Sequence, residues 1–163
     1  MLLGYPTKFV CTNMPYSIKT AHWTSRVVLL TGPAVTPRVL VVDDYEVGAE
    51  ALALALSFSG YDVRYAFSGA SALAITSQWT PDIAVLDISM PDQDGFEVAK
   101  LLREQAPMRN IAIIAFTALD ESYVRIRAMS AGIDGYCQKG GVMGSLLEMI
   151  DRMLAGCAAD PVG

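Results

Sequence analysis

From Arg38 onward, short runs rich in β-branched and other apolar residues alternate five times with longer amphipathic segments, and no other feature of the 163-residue sequence constrains the fold as tightly. "RVLVV" precedes a helical pattern over residues 45–59, and "YDVRYA" precedes one over 68–79. "DIAVLD" leads through "SMPDQDG" into 96–105, "IAIIAFT" leads into 121–130, and "DGYCQ" precedes a last helix over 142–155. Repeated strand–helix units of this kind fold into a parallel sheet, because each helical crossover returns the chain to the same end of the sheet. Gly60 and Gly132 stand where the first and fourth helices would stop. The expectation is an α/β domain: a doubly wound, five-stranded parallel sheet with helices on both faces.

Residues 1–37 break the rhythm. "TGPAVTP" reads as a linker, and "RVVLL" before it is too short to assign. Residues 1–37 are therefore expected to be a poorly ordered extension or the product of a misplaced start, with a cover over an apolar surface of the domain as the sharper alternative. The domain proper is expected over residues 38–156, with a tail over 157–163.

Composition excludes several classes. At 53% apolar and 18% charged residues the chain is too hydrophobic for disorder. A net charge of −5 with no Lys/Arg run gives no footprint for nucleic acid. Cys11, Cys137 and Cys157 are odd in number and form no C-x-x-C pair, so neither a disulfide framework nor a zinc site is expected. No apolar run approaches the roughly 18 residues of a membrane span, and the first residues lack the basic start of a secretory signal. A cytoplasmic protein is expected.

Ligands of an open parallel sheet bind beyond the carboxyl ends of its strands. Five chemically apt residues fall there: Asp43 and Asp44 after the first strand, Asp87 after the third, Thr117 at the end of the fourth and Lys139 after the fifth. Singly, each could be a helix cap or a surface charge. Together, three carboxylates repel one another and raise the affinity of the site for a proton or a cation. Hard oxygen donors without His or Cys select Mg²⁺ over a transition metal.

The motifs "VLVVDD", "LDISMPDQDGFEV", "AFTA" and "GYCQK", with their spacing, resemble the receiver domain of two-component response regulators over residues 38–156. The resemblance implies a flavodoxin-like strand order 2-1-3-4-5. It makes Asp87 the phosphoryl acceptor, and Asp43, Asp44, Asp87 and the backbone carbonyl of Ser89 the ligands of Mg²⁺. Lys139 would contact the phosphoryl oxygens, and Thr117 would hydrogen-bond the new phosphoryl group. Tyr136 would be the aromatic switch that turns inward. Ser89 and Leu119 would flank the path of the hydrolytic water, and an apolar Leu119 implies slow self-dephosphorylation. The implied function is a phosphorylation-switched signalling module, not an enzyme beyond its own phosphorylation and dephosphorylation. Its partners would be a histidine kinase or phosphotransfer protein upstream and an unidentified protein target downstream. With only "GCAADPVG" after Ala155, it is read as a stand-alone receiver, with a homodimer possible.

The chain departs from that family at "KGGVMGS", where a Pro usually follows the lysine. A cis bond before Gly140 would cost about 3 kcal/mol, so a trans peptide is expected. The missing Pro also supports an alternative, a receiver fold serving as a binding or dimerisation module that phosphate does not switch. A phosphohydrolase of the haloacid-dehalogenase type would need an Asp where Ser89 stands, and "GGVMGS" fits no phosphate-loop pattern. The first helix carries two apolar stripes. Gly48, Leu52, Ala55, Leu56 and Ser59 are expected on the sheet; Val47, Ala51, Leu54 and Phe58 lie on a different face and are expected to meet a partner or the N-terminal extension.

Overall fold

The structure is a computed structural model that describes residues 19–30 and 35–155. In chain order its elements are β1 (Thr20–His22), β2 (Val28–Leu29), β3 (Arg38–Val42), α1 (Glu46–Phe58), β4 (Asp62–Ala66), α2 (Gly69–Thr76) and β5 (Ile83–Leu86). There follow α3 (Gly95–Glu104), a short 3-10 turn (Ala106–Met108), β6 (Ala112–Thr117), α4 (Glu121–Ser130), β7 (Gly135–Gln138), α5 (Met143–Met153) and β8 (Leu154–Ala155).

The main sheet runs β1-β7-β6-β5-β3-β4. Its last five members are parallel and in the expected order, with β3 between β4 and β5. Helices on both faces bury the central strands from two sides, which is why those strands read as unbroken apolar runs. Successive residues still point to opposite faces. Val39 and Val41 of β3 join Val85, Ile114, Leu52, Leu56 and Met149 in the layer under α1 and α5. Leu40 and Val42 join Leu86, Ile113, Phe96 and Leu102 in the layer under α2, α3 and α4.

The helix starts are chemically marked. Ser68 and Ser71 form a reciprocal capping box on α2, and the Asp94 and Asp120 side chains cap α3 and α4. Gly60 and Gly132 follow helix ends with φ of 96° and 80°.

Three local expectations are corrected. Residues 20–22 are not outside the domain: β1 pairs antiparallel with β7, setting Thr20 against Cys137, Ala21 against Tyr136 and His22 against Gly135. The undecided "RVVLL" contains β2, which pairs in parallel with β8, Val28 against Leu154 and Leu29 against Ala155. Helix α5 accordingly stops at Met153 rather than reaching Ala155, because Leu154 takes an extended conformation to meet that partner. The third concerns α1, whose buried residues are Ala49, Leu52, Ala53 and Leu56, whereas Ser59 is exposed. The expected second stripe is on the solvent side, with Val47, Leu54 and Phe58 exposed by 65%, 59% and 85%. The described strands of the N-terminal segment lie along β7 and β8, and the stripe stays exposed. Residues 1–18 and 31–34 of the expected extension and linker, residue 156 of the expected domain and the whole expected tail over 157–163 lie outside the described residues.

Candidate functional site

The ends of β3, β5, β6 and β7 bring together Asp43, Asp44, Asp87, Thr117 and Lys139, the five residues singled out by position. One carboxylate oxygen from each of Asp43, Asp44 and Asp87 lies within 4.8 Å of the others. Asp43 and Asp87 are buried, and Asp44 is exposed.

The two buried carboxylates are held alike. Oδ1 of Asp43 accepts the Tyr45 backbone N–H at 3.0 Å, and Oδ1 of Asp87 accepts that of Ser89 at 3.0 Å. In both, the backbone amide two residues on fixes the side chain immediately after its strand. Their other oxygens turn to one cation: Lys139 Nζ donates to Asp43 Oδ2 at 2.6 Å and to Asp87 Oδ2 at 3.0 Å. Burial draws the Lys139 ammonium downward, but its hydrogen bonds to Asp43 and Asp87 and their charges outweigh it and hold the group above the ordinary lysine value. The lysine is therefore a fixed positive charge at the site.

Lys139 reaches this place without a proline after it. Its backbone N–H donates to the Thr117 carbonyl at 2.8 Å, tying the end of β7 to the end of β6. No cis peptide occurs among the described residues, and Gly140 turns the chain away with φ of 93°, a conformation that side-chain-bearing residues rarely adopt.

Thr117 is fully buried. Its Oγ1 accepts the Leu119 backbone N–H at 3.3 Å and lies 3.5 Å from Ser89 Oγ, on the loop that follows Asp87. Gly95 closes that loop from the other side, where an added Cβ would fall on the Asp87 carbonyl oxygen and against Ile88. Beside Asp44, a cavity of about 230 Å³ opens between Phe67, Ser68, Met90 and Gln93.

Tyr136 is the sixth expected residue, and its ring is fully buried. It is not on an edge strand, because β1 takes the edge. Its hydroxyl donates to the Leu119 carbonyl at 2.7 Å, and the Trp23 ring stacks on it. Burial, then the charges of Asp120 and Glu121, push the phenol up to about 12.

Sequence reasoning missed two residues on this side of the molecule. Asp134, just before β7, is buried with its oxygens on Arg103, Arg26, Thr24 and the Ile113 N–H. Trp23 stacks on Tyr136 and donates from Nε1 to Glu121 at 3.0 Å. Neither lies at the carboxyl end of a parallel strand, the only place where position alone marks a residue as functional.

A doubly wound α/β sheet whose carboxyl edge gathers three hard-oxygen donors with a fixed ammonium and a buried hydroxyl defines a class, an α/β domain with an acidic pocket at its topological switch point. The comparisons with known proteins then agree on one family. Residues 39–151 match the response regulator receiver domain, and the chain belongs to that family. It is 37% identical over 123 residues to response regulator MprA of Mycobacterium sp. (strain KMS), covering 76% of this chain and 53% of that protein. With MprA of Mycobacterium avium (strain 104) the identity is 38% over 117 residues, 72% of this chain and 50% of that protein. The chain thus spans about half the length of these relatives. Among solved structures, the chemotaxis protein CheY4 of Vibrio cholerae superposes with a TM-score of 0.71 at 28% identity, covering 74% of this chain and all of that one. The receiver domain of the Francisella response regulator 1452 superposes with a TM-score of 0.65 at 30% identity, over 72% of this chain and 96% of that one. The fold class expected from the sequence, with its flavodoxin-like order, is the one found. No helix among the described residues is long and apolar enough to cross a membrane.

Proposed function

We propose that this receiver accepts a phosphoryl group on Asp87 from a phosphohistidine of a histidine kinase or phosphotransfer protein. The observation that carries the reading is the meeting of Asp87 with two more carboxylates and with Lys139, 3.0 Å away. An oxygen of the Asp87 carboxylate forms the new P–O bond as the P–N bond of the donor breaks, and the imidazole leaves with that electron pair and takes a proton from solvent. The product is an acyl phosphate, labile enough for a reversible signal. Water attacking phosphorus later breaks the P–O bond, restoring the carboxylate and releasing inorganic phosphate.

The donor set fits a hard divalent cation: three carboxylates and no nitrogen or sulfur ligand. Asp43, Asp44, Asp87 and the Ser89 carbonyl would hold Mg²⁺, which when bound neutralises the charge spread over the phosphoryl oxygens. The protein's own groups do the rest. Lys139 opposes the same charge as a fixed cation, and the amide of Ser89 orients the nucleophile. Thr117 Oγ1, already facing the Asp87 loop, would donate to the arriving phosphoryl group, and Tyr136 would respond to that movement through Leu119. On the opposite face of the site's first helix, Val47, Leu54 and Phe58 offer an apolar stripe for the donor protein. Turnover would be confined to the receiver's own phosphorylation and dephosphorylation.

The test is incubation with acetyl phosphate, with and without Mg²⁺, followed by intact mass. The reading expects Mg²⁺-dependent gain of one phosphoryl group that hydroxylamine removes, as it does from acyl phosphates and not from phosphoesters. No gain under any condition would favour a receiver fold that works only as a binding or dimerisation module.

A further inference from the structure

The segment from Lys19 to Arg26 lies along β7 as a strap, and the fastenings at one of its ends gather on one loop. Lys19 Nζ pairs with Asp120 at 2.8 Å, and the Trp23 indole N–H donates to Glu121 at 3.0 Å. The Trp23 ring stacks on Tyr136 at 6.0 Å between centres, and the Tyr136 hydroxyl is bonded to the Leu119 carbonyl. Three consecutive residues, Leu119, Asp120 and Glu121, therefore hold the strap directly or through Tyr136. The same loop begins at Thr117, whose Oγ1 accepts the Leu119 N–H and faces Ser89 beside Asp87. A continuous set of contacts runs from the carboxylate site to the strap: Asp87, Ser89, Thr117, Leu119, Tyr136 and Trp23.

We infer that the strap is an intramolecular occupant of the β7 edge whose docking is coupled to the state of Asp87, so that phosphorylation loosens it and exposes that edge. This rests on the acceptor reading above. If Thr117 Oγ1 turns to a phosphoryl group on Asp87, it gives up the Leu119 N–H, and the loop carrying Leu119, Asp120 and Glu121 is released at its base. Those residues cannot shift without disturbing the bonds to Tyr136, Lys19 and Trp23 together. At the end of the strap nearest the site its other support is modest: β1 is three residues long, and Thr20 and His22 are exposed. Its other anchors lie mostly at the opposite end of β7, where Trp23 and Thr24 donate backbone N–H groups to the Asp134 carbonyl, the Thr24 and Arg26 side chains donate to the Asp134 carboxylate, and Arg26 also reaches the Arg109 carbonyl. The released edge would offer the unpaired backbone of β7 and the side of the Tyr136 ring, a surface suited to an added strand.

Amide hydrogen exchange on the full chain, with phosphorylation of the same sample followed by intact mass, tests the coupling. Gln138 donates its N–H to the Lys19 carbonyl, and Trp23 and Thr24 donate theirs to the Asp134 carbonyl. Phosphorylation is expected to speed exchange at these amides by about tenfold, within the range usual for coupled sites, and to leave the amides of β3 and β5 unchanged. Coupling is reciprocal, so Trp23→Phe, which keeps a ring over Tyr136 but loses the Glu121 bond, should bind the phosphoryl mimic beryllium fluoride several-fold more tightly in the presence of Mg²⁺. A strap that is only structural would lower stability in Trp23→Phe and leave that affinity alone. Phosphoryl uptake with unchanged or slower exchange overturns the inference while the acceptor reading stands; failure to take up phosphate removes both.

Discussion

The Lys139 ammonium lies 3.0 Å from Asp87 Oδ2, and it donates to Asp43 from the same nitrogen. It therefore occupies part of the ground a divalent cation would need, and the proposed Mg²⁺ would compete with it for the same oxygens. Lys139→Met is expected to bind Mg²⁺ several-fold more tightly than wild type, because Asp43 and Asp87 lose the cation that neutralises them. Asp43→Asn and Asp44→Asn are each expected to weaken it, since each removes a charge from a hard-oxygen site. Titration calorimetry measures all four proteins; unchanged affinity in the two Asn variants would dismiss these ligands.

Asp134 is a buried carboxylate with two arginine partners, each reached at 2.8 Å or less. Asp134→Ala strands Arg103, which lies against the Gly132, Met108 and Ile111 carbonyls, and leaves the Ile113 N–H without its partner. Removing one member of such a buried pair should cost about 3 kcal/mol or more, read from urea unfolding. A loss under about 1 kcal/mol would mean that water replaces the carboxylate without penalty.

Alkaline pH should unfold the protein earlier than surface charge alone predicts. Burial pushes the Cys137 thiol up to about 11 and, with nearby acids, the Tyr136 phenol up to about 12. Both groups bind their protons more tightly in the folded state. Their contribution is fully present below the unfolded values, near pH 9 for the thiol and pH 10 for the phenol, and is lost as pH rises through the folded ones. Urea unfolding from pH 8 to 11 should show a progressive fall that is shallower in Cys137→Ala. Parallel profiles for the two proteins would show that the thiol has no part in it.

Gly95→Ala places a methyl group on the Asp87 carbonyl, where backbone rather than a flexible side chain must yield. The variant should lose about 1–3 kcal/mol of stability, as overpacked sites do. It should also take up phosphate more slowly, because the strain falls on Asp87, the proposed acceptor. Wild-type stability with wild-type uptake would show that the loop moves freely.

How far the sequence alone reaches can be judged from these same residues. The central strands β3, β5 and β6 were legible because each is buried on both faces and so forms an apolar run, and Asp43, Asp44, Asp87, Thr117 and Lys139 were legible because parallel strands put their chemistry at one end. The phase of α1 was legible only in part, through Leu52 and Leu56. With alanine at positions 49, 51, 53 and 55, its faces differ little in hydrophobicity, and the burial of Ala49 and Ala53 is decided by packing on β3 and β4. Nor was β1 legible, since three residues have no periodicity to read. What holds the strap, Lys19 on Asp120, Trp23 on Glu121 and Arg26 on Asp134, joins positions about a hundred residues apart.

Whether Asp87 is the acceptor is decided by the intact mass of Asp87→Asn beside wild type, both incubated with acetyl phosphate and Mg²⁺. Wild type should gain one phosphoryl group, and the variant, folded but without the nucleophilic carboxylate, should gain none. Equal incorporation in the two proteins would contradict the assignment and move the chemistry to another residue.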